Sequence, residues 1–532
     1  MIPALLAIII AFSVMGSAIV EVTLTNFTVV GNIVKSQQAF NIAESGLNYY
    51  MWHLNHNSTD YKDGQSTPAT PDPKLGYGPY VHNYIDTNGV NEGTYTLWIS
   101  PAGTGSTIVT VRSIGQAAGT NITRTVLAKI GSPSFASYGV VDDSAIWFGP
   151  NESADGPVHS NQGVEMDGSS NSTVSSANTT YTPPIYLNGS GSSHPGVWCD
   201  STVTTPVNCN TRSKTIWDYP VPQVNFNQVS TSLCTMKKVA FADYSTTSAL
   251  ASQANACNYT TTNGQANGPA IPITNAYIPQ LSSSFSTTKG YLIILNNDGT
   301  YDLYTVNSET DTAASYATAL STTLVGTKIS LPPSGVIFVE DNVWVLSKPG
   351  SSFHGRVTIA SGRLATSNNT DIVIAAPLLY SLKNGSDAIG LVAEDSVYVA
   401  PYAPPASGSF NFEIDGALLA ENGNVEYGEN TNNAGFITYR SSTNQCARGW
   451  VNPNQQLIFY GSVATRQIWT WNLESNGSCG DMVKDPSNGL WWSGIENTTT
   501  SYDYNLEYAP PPSYPLTSGY NILSWREVLT RP

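Results

Sequence analysis

Charge is scarce in this chain. Asp, Glu, Lys and Arg together make up 11% of its 532 residues, against about a quarter in ordinary soluble domains. Ser, Thr, Asn and Gly fill the gap, so the surface is built on hydroxyls and amides. Basic residues are scarcer than acidic ones, and the formal net charge is -16. The one notable basic pair is Lys237 and Lys238, too little for a phosphate-binding surface, so nucleic acid is not expected as a partner. Recognisable chemistry is missing as well. There is no Gly-rich phosphate loop, no H-E-x-x-H and no G-x-S-x-G. No C-x-x-C spacing or neighbouring His supports a metal site, and no cofactor is expected. No basic segment precedes the first apolar run and no Ala-rich exit follows it, which argues against a cleavable secretory signal.

What is present begins at residue 1. "MIPALLAIIIAFSVMGSAIV" carries no ionisable side chain and meets the length rule for a membrane-spanning helix. From Met1 to Val34 the only ionisable side chain is Glu21. "KSQQAFNIAESGLNYYMWHL" (Lys35 to Leu54) follows with no turn signal between. There Phe40, Ala43, Leu47, Tyr50, Met51 and Leu54 fall on one helical face, while Gln37, Gln38, Asn41, Glu44 and Asn48 take much of the rest. The pattern predicts one helix over residues 1–54, roughly 80 Å long at ~1.5 Å per residue. A plain anchor with a juxtamembrane stalk fits the same pattern.

Residues Ala39, Phe40, Ala43, Glu44, Gly46 and Leu47 spell "A-F-x-x-A-E-x-G-L" behind a fully apolar half-helix. In this the segment resembles the N-terminal helix of type IV pilins and pseudopilins, in particular the PilX-like group. The resemblance covers about the first tenth of the chain strongly and the next stretch loosely. It implies that a basic leader ending in Gly has been removed, making Met1 the mature first residue. It also implies that Leu5, Leu6, Ile8, Ile9, Ile10, Phe12, Val14, Ile19 and Val20, with Phe40, Ala43, Glu44 and Leu47 below them, form the core of a filament. Partners would be copies of this chain or other pilins, met after storage in the cytoplasmic (inner) membrane. Shaft pilins carry Glu at the fifth mature position, where it pairs with a neighbour's N-terminal amine. Leu5 stands there in this chain, as in some tip pseudopilins, so shaft and tip both stay open. Gly16, Gly31 and the β-branched run at Val20, Val22, Thr23 and Thr25 weaken helix propensity, and partial melting of residues 16–31 in a fibre is expected.

Beyond the helix, "QSTPATPDPK" (Gln65 to Lys74) is a proline-punctuated linker. "GTYTLWIS" (Gly93 to Ser100), "TIVTVRSIG" (Thr107 to Gly115) and "NITRTVLAKI" (Asn121 to Ile130) predict an antiparallel meander packed on the helix's lower stripe. Later, "GVIFVEDNVWVL", "GRVTIA", "DIVIAA", "IGLVAEDSVYVA", "DGALLAENGNVEY" and "FYGSVA" between Gly335 and Ala464 repeat a Gly ahead of an apolar triplet. Such quasi-periodic short strands suggest coils of a parallel β-solenoid, although spacing this irregular also fits a sandwich. "YLIILNNDGTYDLYTV" predicts a hairpin with a type I′ turn at Asp298 and Gly299, and Ser308 to Leu324 a short helix capped by Ser308. The expected class is α+β, mostly β: a long pilin-type helix, a small antiparallel sheet, then a large β-solenoid with an inserted subdomain. The expected divisions are 1–54, 55–131, 132–229, 230–330 (inserted), 331–507 and 508–532. The Pro-rich last segment is expected to cover an open solenoid end.

Six cysteines fall in sequence-local pairs, Cys199 with Cys209, Cys234 with Cys257 and Cys446 with Cys479. Three loop-stapling disulfides in an exported chain are expected, among the fifteen connectivities six cysteines permit. N-x-S/T sequons start at Asn57, Asn121, Asn151, Asn171, Asn178, Asn188, Asn258, Asn368, Asn384, Asn476 and Asn497, and at Asn26, the poorest candidate because it lies in the apolar helix. Parallel β-helices often house polysaccharide hydrolases, so Asp142, Asp143, Asp155 and Asp167 near His159 are candidates for acid/base work. Asp before Gly is also ordinary turn chemistry, and Glu340–Asp341 and Glu394–Asp395 recur at equivalent turns. "NNDGTYD" has a calcium-loop flavour that the hairpin accounts for without an ion. Trp469, Trp471, Trp491 and Trp492 are candidates for stacking on sugars, though large aromatics are mostly buried. The sequence thus points to a non-enzymatic subunit of a surface filament, adhesive and with surface glycans as candidate partners. A membrane-anchored β-helical carbohydrate-active enzyme and a stalked adhesin that never polymerises are the alternatives.

Overall fold

The structure is a computed structural model that describes the chain except residues 1, 58–59, 66–69, 103–105, 151, 185–190, 201–208, 210–213, 245–256, 258–272, 283, 311–312, 365–367, 406, 429–447, 476, 479–481, 518 and 529–532. It divides into two compact units, Met1–Ser132 with Gly519–Pro532, and Pro133–Ser518.

In the first unit a single helix, α1 (Ile2–His56), runs without interruption through the apolar and amphipathic halves of the sequence. It lies on an antiparallel sheet of β1 (Tyr77–Ile85), β2 (Asn91–Ser100), β3 (Ile108–Ala117) and β4 (Thr123–Gly131), in that order. The three strands read from the alternation of the sequence are there, shifted by one or two residues. Strand β3 alternates buried and half-buried side chains along its whole length, as a sheet with one covered face requires. Two further strands have no clear signal in the sequence: β1, whose "YGPYVHNYI" mixes polar residues with a proline, and a C-terminal strand (Asn521–Val528). The C-terminal strand pairs antiparallel with β4, so the last segment is not wholly a cover for an open end. The free edge of β4 recruits it, and Asn55 of α1 locks the join by exchanging hydrogen bonds with the backbone of Tyr520 at 2.7 and 3.2 Å.

The second unit is mostly β and made of open sheets. One column of parallel strands runs through Tyr277–Ile278, Val336–Val339, Arg356–Ser361, Ala388–Ala393, Phe410–Ala420 and Gln455–Thr465. A second parallel column runs through Gly290–Leu295, Asn342–Ser347, Ile372–Ile374, Val397–Val399, Val425–Tyr427 and Trp469–Thr470. The chain alternates between them, and Ile337, Ile359, Leu391 and Leu418 of the first pack in one apolar core with Val345, Ile374, Val399 and Val425 of the second. Within residues 230–330, expected as an inserted subdomain, Tyr277–Ile278 and Gly290–Leu295 supply the first strand of each column. The earlier segment joins at the other end: Val140–Asp142 pairs parallel with Gln455–Thr465, and Val158–Ser160, Val174–Ser176 and Trp217–Asp218 follow in turn. Stacking order and chain order therefore differ, which spacing along the sequence could not convey.

The outer face of the first column is covered by helix α2 (Asn227–Tyr244), through Val229, Leu233, Met236 and Phe241, and by Phe135, Leu506 and Tyr514. The proline segment crosses the flank of the same column. Arg356 donates to the carbonyls of Ala509 and Pro510 at 2.7 Å each, and Thr358 donates to Pro512 at 2.5 Å. The repeated glycines make room for it: a Cβ on Gly335 would stand 2.7 Å from Pro512 Cγ, and one on Gly390 2.8 Å from Pro511 Cβ.

Two local readings are corrected. The hairpin after Gly290–Leu295 closes with Asn296 N–H on Thr300 O at 2.9 Å, and Gly299 sits at φ +72°. The loop is thus three residues, Asn297 to Gly299, with glycine in the left-handed position, and not a two-residue type I′ turn. The helix expected from Ser308 shrinks to Tyr316–Ala319, because Thr300–Glu309 and Leu320–Ser330 pair as strands on either side. Sheet pairing outweighs the weak helical propensity of a Ser/Thr-rich run.

Candidate functional site

The feature without a structural partner is the apolar half of α1. Eighteen large apolar side chains between Ile2 and Val34 are exposed, among them Leu5, Ile9, Phe12, Ile19, Phe27 and Val30, with Phe27 72% exposed. Each would gain about 1.5–3 kcal/mol on burial, so the deficit is on the order of tens of kcal/mol. The hydroxyl side chains of this half are self-contained. Ser13, Ser17, Thr23, Thr25 and Thr28 each donate the hydroxyl to a carbonyl three or four residues back, at 2.7–3.0 Å. That removes their need for water and suits them to an apolar surrounding.

The lower half is bound to its sheet along a seam of small residues. Ala39, Ile42, Ala43, Gly46, Leu47, Tyr50 and Leu54 are buried. A Cβ on Gly115 of β3 would stand 2.1 Å from Ala39 O and 2.5 Å from Ala43 N; one on Gly46 would stand 2.4 Å from Ser113 Oγ. The Ala-x-x-x-Ala-x-x-Gly pattern at 39, 43 and 46 therefore has a local cause: it lets helix and sheet backbones touch. Larger Ile42, Leu47, Tyr50 and Leu54 flank this contact and stabilise it by on the order of 10 kcal/mol, an upper figure. Phe40 and Met51, expected on the stripe, are half-buried at its margins, and Glu44 is half-buried too.

Where the two halves meet, polar and aromatic side chains form a collar. Lys35 Nζ donates to Gln38 Oε1 at 2.9 Å, and Gln38 donates to Glu92 O at 3.2 Å and to the Glu92 carboxylate. Arg124 donates to Ser36 Oγ at 2.7 Å, pairs with Glu527 and lies 5.5 Å from the Phe40 ring centre. Trp525 meets Phe40 edge-on at 5.8 Å. One helix can thus pass from an apolar to a wet surrounding without a turn, because the sheet's rim supplies the polar partners at residues 35–40. Glu92, Arg124, Trp525 and Glu527 were not singled out from the sequence, because nothing local links residues so far apart.

The other candidates are dispersed. His159 is 2% exposed, with Nε2 3.0 Å from Asn161 Oδ1 and Nδ1 3.0 Å from Ser175 Oγ, and burial lowers its pKa. Asp155 accepts from Tyr502 N at 2.9 Å and Tyr504 OH at 3.1 Å. Asp167 accepts from Asp200 N at 2.7 Å and Trp147 Nε1 at 3.0 Å, Asp142 from Ser144 N at 2.7 Å, and Asp143 from Asn161 Nδ2 at 2.5 Å. The Asn161 amide joins Asp143 to His159, whereas Asp155 and Asp167 are held by other partners. Asp341 accepts from Leu281 N at 2.9 Å, Glu394 from Arg363 N at 2.7 Å, and Glu340 meets Lys237 at 2.5 Å with both side chains wholly buried. Asp298 accepts from Thr300 Oγ1 at 2.5 Å and meets Lys328 Nζ at 3.1 Å. Trp471 is 5% exposed against Phe459, and Trp469 packs on Phe148. Trp491 and Trp492 are half-buried.

Cys199–Cys209 and Cys234–Cys257 are disulfides, and Cys446 and Cys479 lie outside the described residues. Of the sequons, Asn26, Asn57, Asn121, Asn171, Asn368 and Asn384 are exposed and Asn178 and Asn497 half-buried. Asn151, Asn188, Asn258 and Asn476 lie outside the described residues, as does Met1.

Buried acids give the second unit a pH signature. Burial, reinforced by Asp167, pushes Glu165 up to about 8; burial also pushes Glu394 to about 7 and Asp341 and Asp415 to about 6. A raised folded pKa contributes stability that is complete below about pH 4, where the unfolded acid also keeps its proton, and is lost as pH climbs through about 6 to 8. His159, lowered by burial, acts oppositely below about pH 6.5. The acids prevail, so the thermal midpoint should fall by a few °C between pH 5.5 and 8.5, and Glu165→Gln should flatten the fall. A midpoint that rises over that interval would contradict this assignment.

No family model matches the chain, and no curated protein matches it. Among solved structures, the competence-associated pilin ComZ from Thermus thermophilus is similar over 93% of this chain and 98% of that one, at 12% identity and a TM-score of 0.28. At that level of overlap two chains need not share a fold.

Proposed function

We propose that this chain is a structural subunit of a type IV pilus-like extracellular filament, with the apolar halves of α1 forming the core. The observation that carries this is a length. The uncovered apolar run from Ile2 to Val34 spans roughly 50 Å at ~1.5 Å per residue. A bilayer offers about 30 Å of hydrocarbon, and even a tilt of about 40° leaves the run roughly 8 Å too long. Residues 2–20 fill a bilayer alone, and Glu21 then marks its edge. The neck from Val22 to Val34 projects beyond it with Leu24, Phe27, Val30 and Ile33 uncovered. Lipid cannot satisfy that neck, whereas sister helices can. A plain anchor has no use for it.

On this reading the subunit waits in the inner membrane and is then drawn into a fibre on the cell surface, with sister copies or other pilins as partners. The match at Ala39, Phe40, Ala43, Glu44, Gly46 and Leu47 supports a PilX-like affiliation. The alternation of strands between two parallel columns supports reading the second unit as a β-solenoid, carried outside the fibre or at its tip. A hydroxyl- and amide-rich exterior of this size suits adhesion, with surface glycans as candidate ligands, and no enzymatic role is assigned. The test is composition: fibres sheared from source cells should contain this chain as a stoichiometric component. Recovery of the chain only from membranes, never from the fibre fraction, would sink the proposal.

A further inference from the structure

Glu21 is the only ionisable side chain between Ile2 and Val34, and its exposed carboxylate has no side-chain partner; the one side chain that reaches the residue, Thr25, donates to its backbone carbonyl. An ionisable group in an apolar span is rare and calls for a partner. Lys35 is the first cation beyond it, and its Nζ has only the neutral Gln38 Oε1, at 2.9 Å. One helix thus carries an anion without a cation and a cation without an anion, fourteen residues apart.

The two share a side of the helix. At ~100° per residue, Ser13, Ser17, Glu21, Thr25, Thr28 and Asn32 fall within an arc of roughly 120°, and so does Lys35. The same arc, continued downward, contains the buried seam residues Ala39, Ala43 and Gly46. The opposite side is mostly apolar, with Leu5, Phe12, Ile19 and Val30, interrupted by Thr23 and Asn26. Sister helices can bury those backs against one another, which leaves the polar stripe on the side of its own sheet, directly above the collar, where a further copy can meet it.

We infer that in the assembled fibre Glu21 of one copy pairs with Lys35 of a second copy displaced along the axis, and that this pair sets the stagger between them. The inference rests on the filament reading. Copies leaving one membrane are parallel, so zero stagger would set Glu21 beside Glu21, like against like. A displacement of fourteen residues, about 21 Å, brings opposite charges together and sets the neighbour's polar collar along the stripe. Withdrawn from water, such a pair tolerates the loss of either partner poorly.

The test is a charge exchange in the full chain, read as fibre yield. E21K and K35E alone should each lower the yield at least about tenfold, and E21K/K35E should restore it to within about threefold of the native chain. Singles that assemble normally, or a double variant no better than the singles, would overturn the pairing while leaving the filament reading intact. A native chain that forms no fibres would overturn both. E21C/K35C should give disulfide-linked ladders of copies under oxidation, and failure to link within intact fibres would also overturn the pairing.

Discussion

Gly115→Ala is expected to unseat the long helix from its sheet. The added methyl would lie 2.1 Å from Ala39 O and 2.5 Å from Ala43 N. Both are backbone atoms of one helix, so no side-chain rotation can relieve the contact. The helix must lift, and the lift opens the contacts of Ile42, Leu47 and Tyr50 with the sheet. A loss of about 3 kcal/mol in the stability of the first unit follows, at the upper end for overpacking. Thermal unfolding of the full chain in detergent would read it, with tyrosine and tryptophan fluorescence as the probe. Gly16→Ala and Gly31→Ala are the controls, because a Cβ at either position meets nothing within 4 Å in the single chain. Those two should leave the unit's midpoint where it is. Equal behaviour of all three would mean that the close approach does not exist.

The second large effect is on assembly. Val30 is 57% exposed, lies in the neck beyond the bilayer-length segment and touches nothing in the single chain that holds the fold together. Val30→Asp should therefore leave the first unit's stability unchanged, and residues 2–20 should keep the chain in membranes. Between sister helices, however, an unpaired carboxylate would be taken out of water at a cost of several kcal/mol. Fibre yield should fall at least about a hundredfold, the equivalent of about 2.8 kcal/mol, while Val30→Leu should assemble normally. Undiminished fibres from Val30→Asp would place the neck in water and remove the reason for its length.

What was legible in the sequence follows from how far apart the deciding residues lie. Helix α1 was readable because its evidence is local: an uninterrupted apolar run, then a three-to-four spacing with no proline. Strands β2, β3 and β4 were readable because alternation over eight or more residues is also local. The C-terminal strand was not, since "NILSWREV" has no clean alternation and only the free edge of β4, some four hundred residues earlier, makes it a strand. The collar was hidden for the same reason: Arg124 meets Ser36 and Glu527 by virtue of the fold alone. In the second unit the Gly-led triplets were visible, and two of their glycines, Gly335 and Gly390, prove to admit a proline segment more than a hundred residues away. Their stacking order was not visible, because Val140 pairs with Val463 and nothing in either segment's own sequence states its neighbour. Of the carboxylates near His159 in sequence, Asp143 stays linked to it through Asn161, while the short strands send Asp155 and Asp167 to other turns.

The account depends on α1 exchanging lipid for sister helices. The measurement that bears on it most directly is a three-dimensional reconstruction of fibres from source cells at a resolution that traces side chains. It should show residues 2–34 enclosed at the centre, packed copy against copy, with the remainder of each chain outside that bundle. A fibre held together only by the outer units, with that segment bare or still in lipid, would contradict the account.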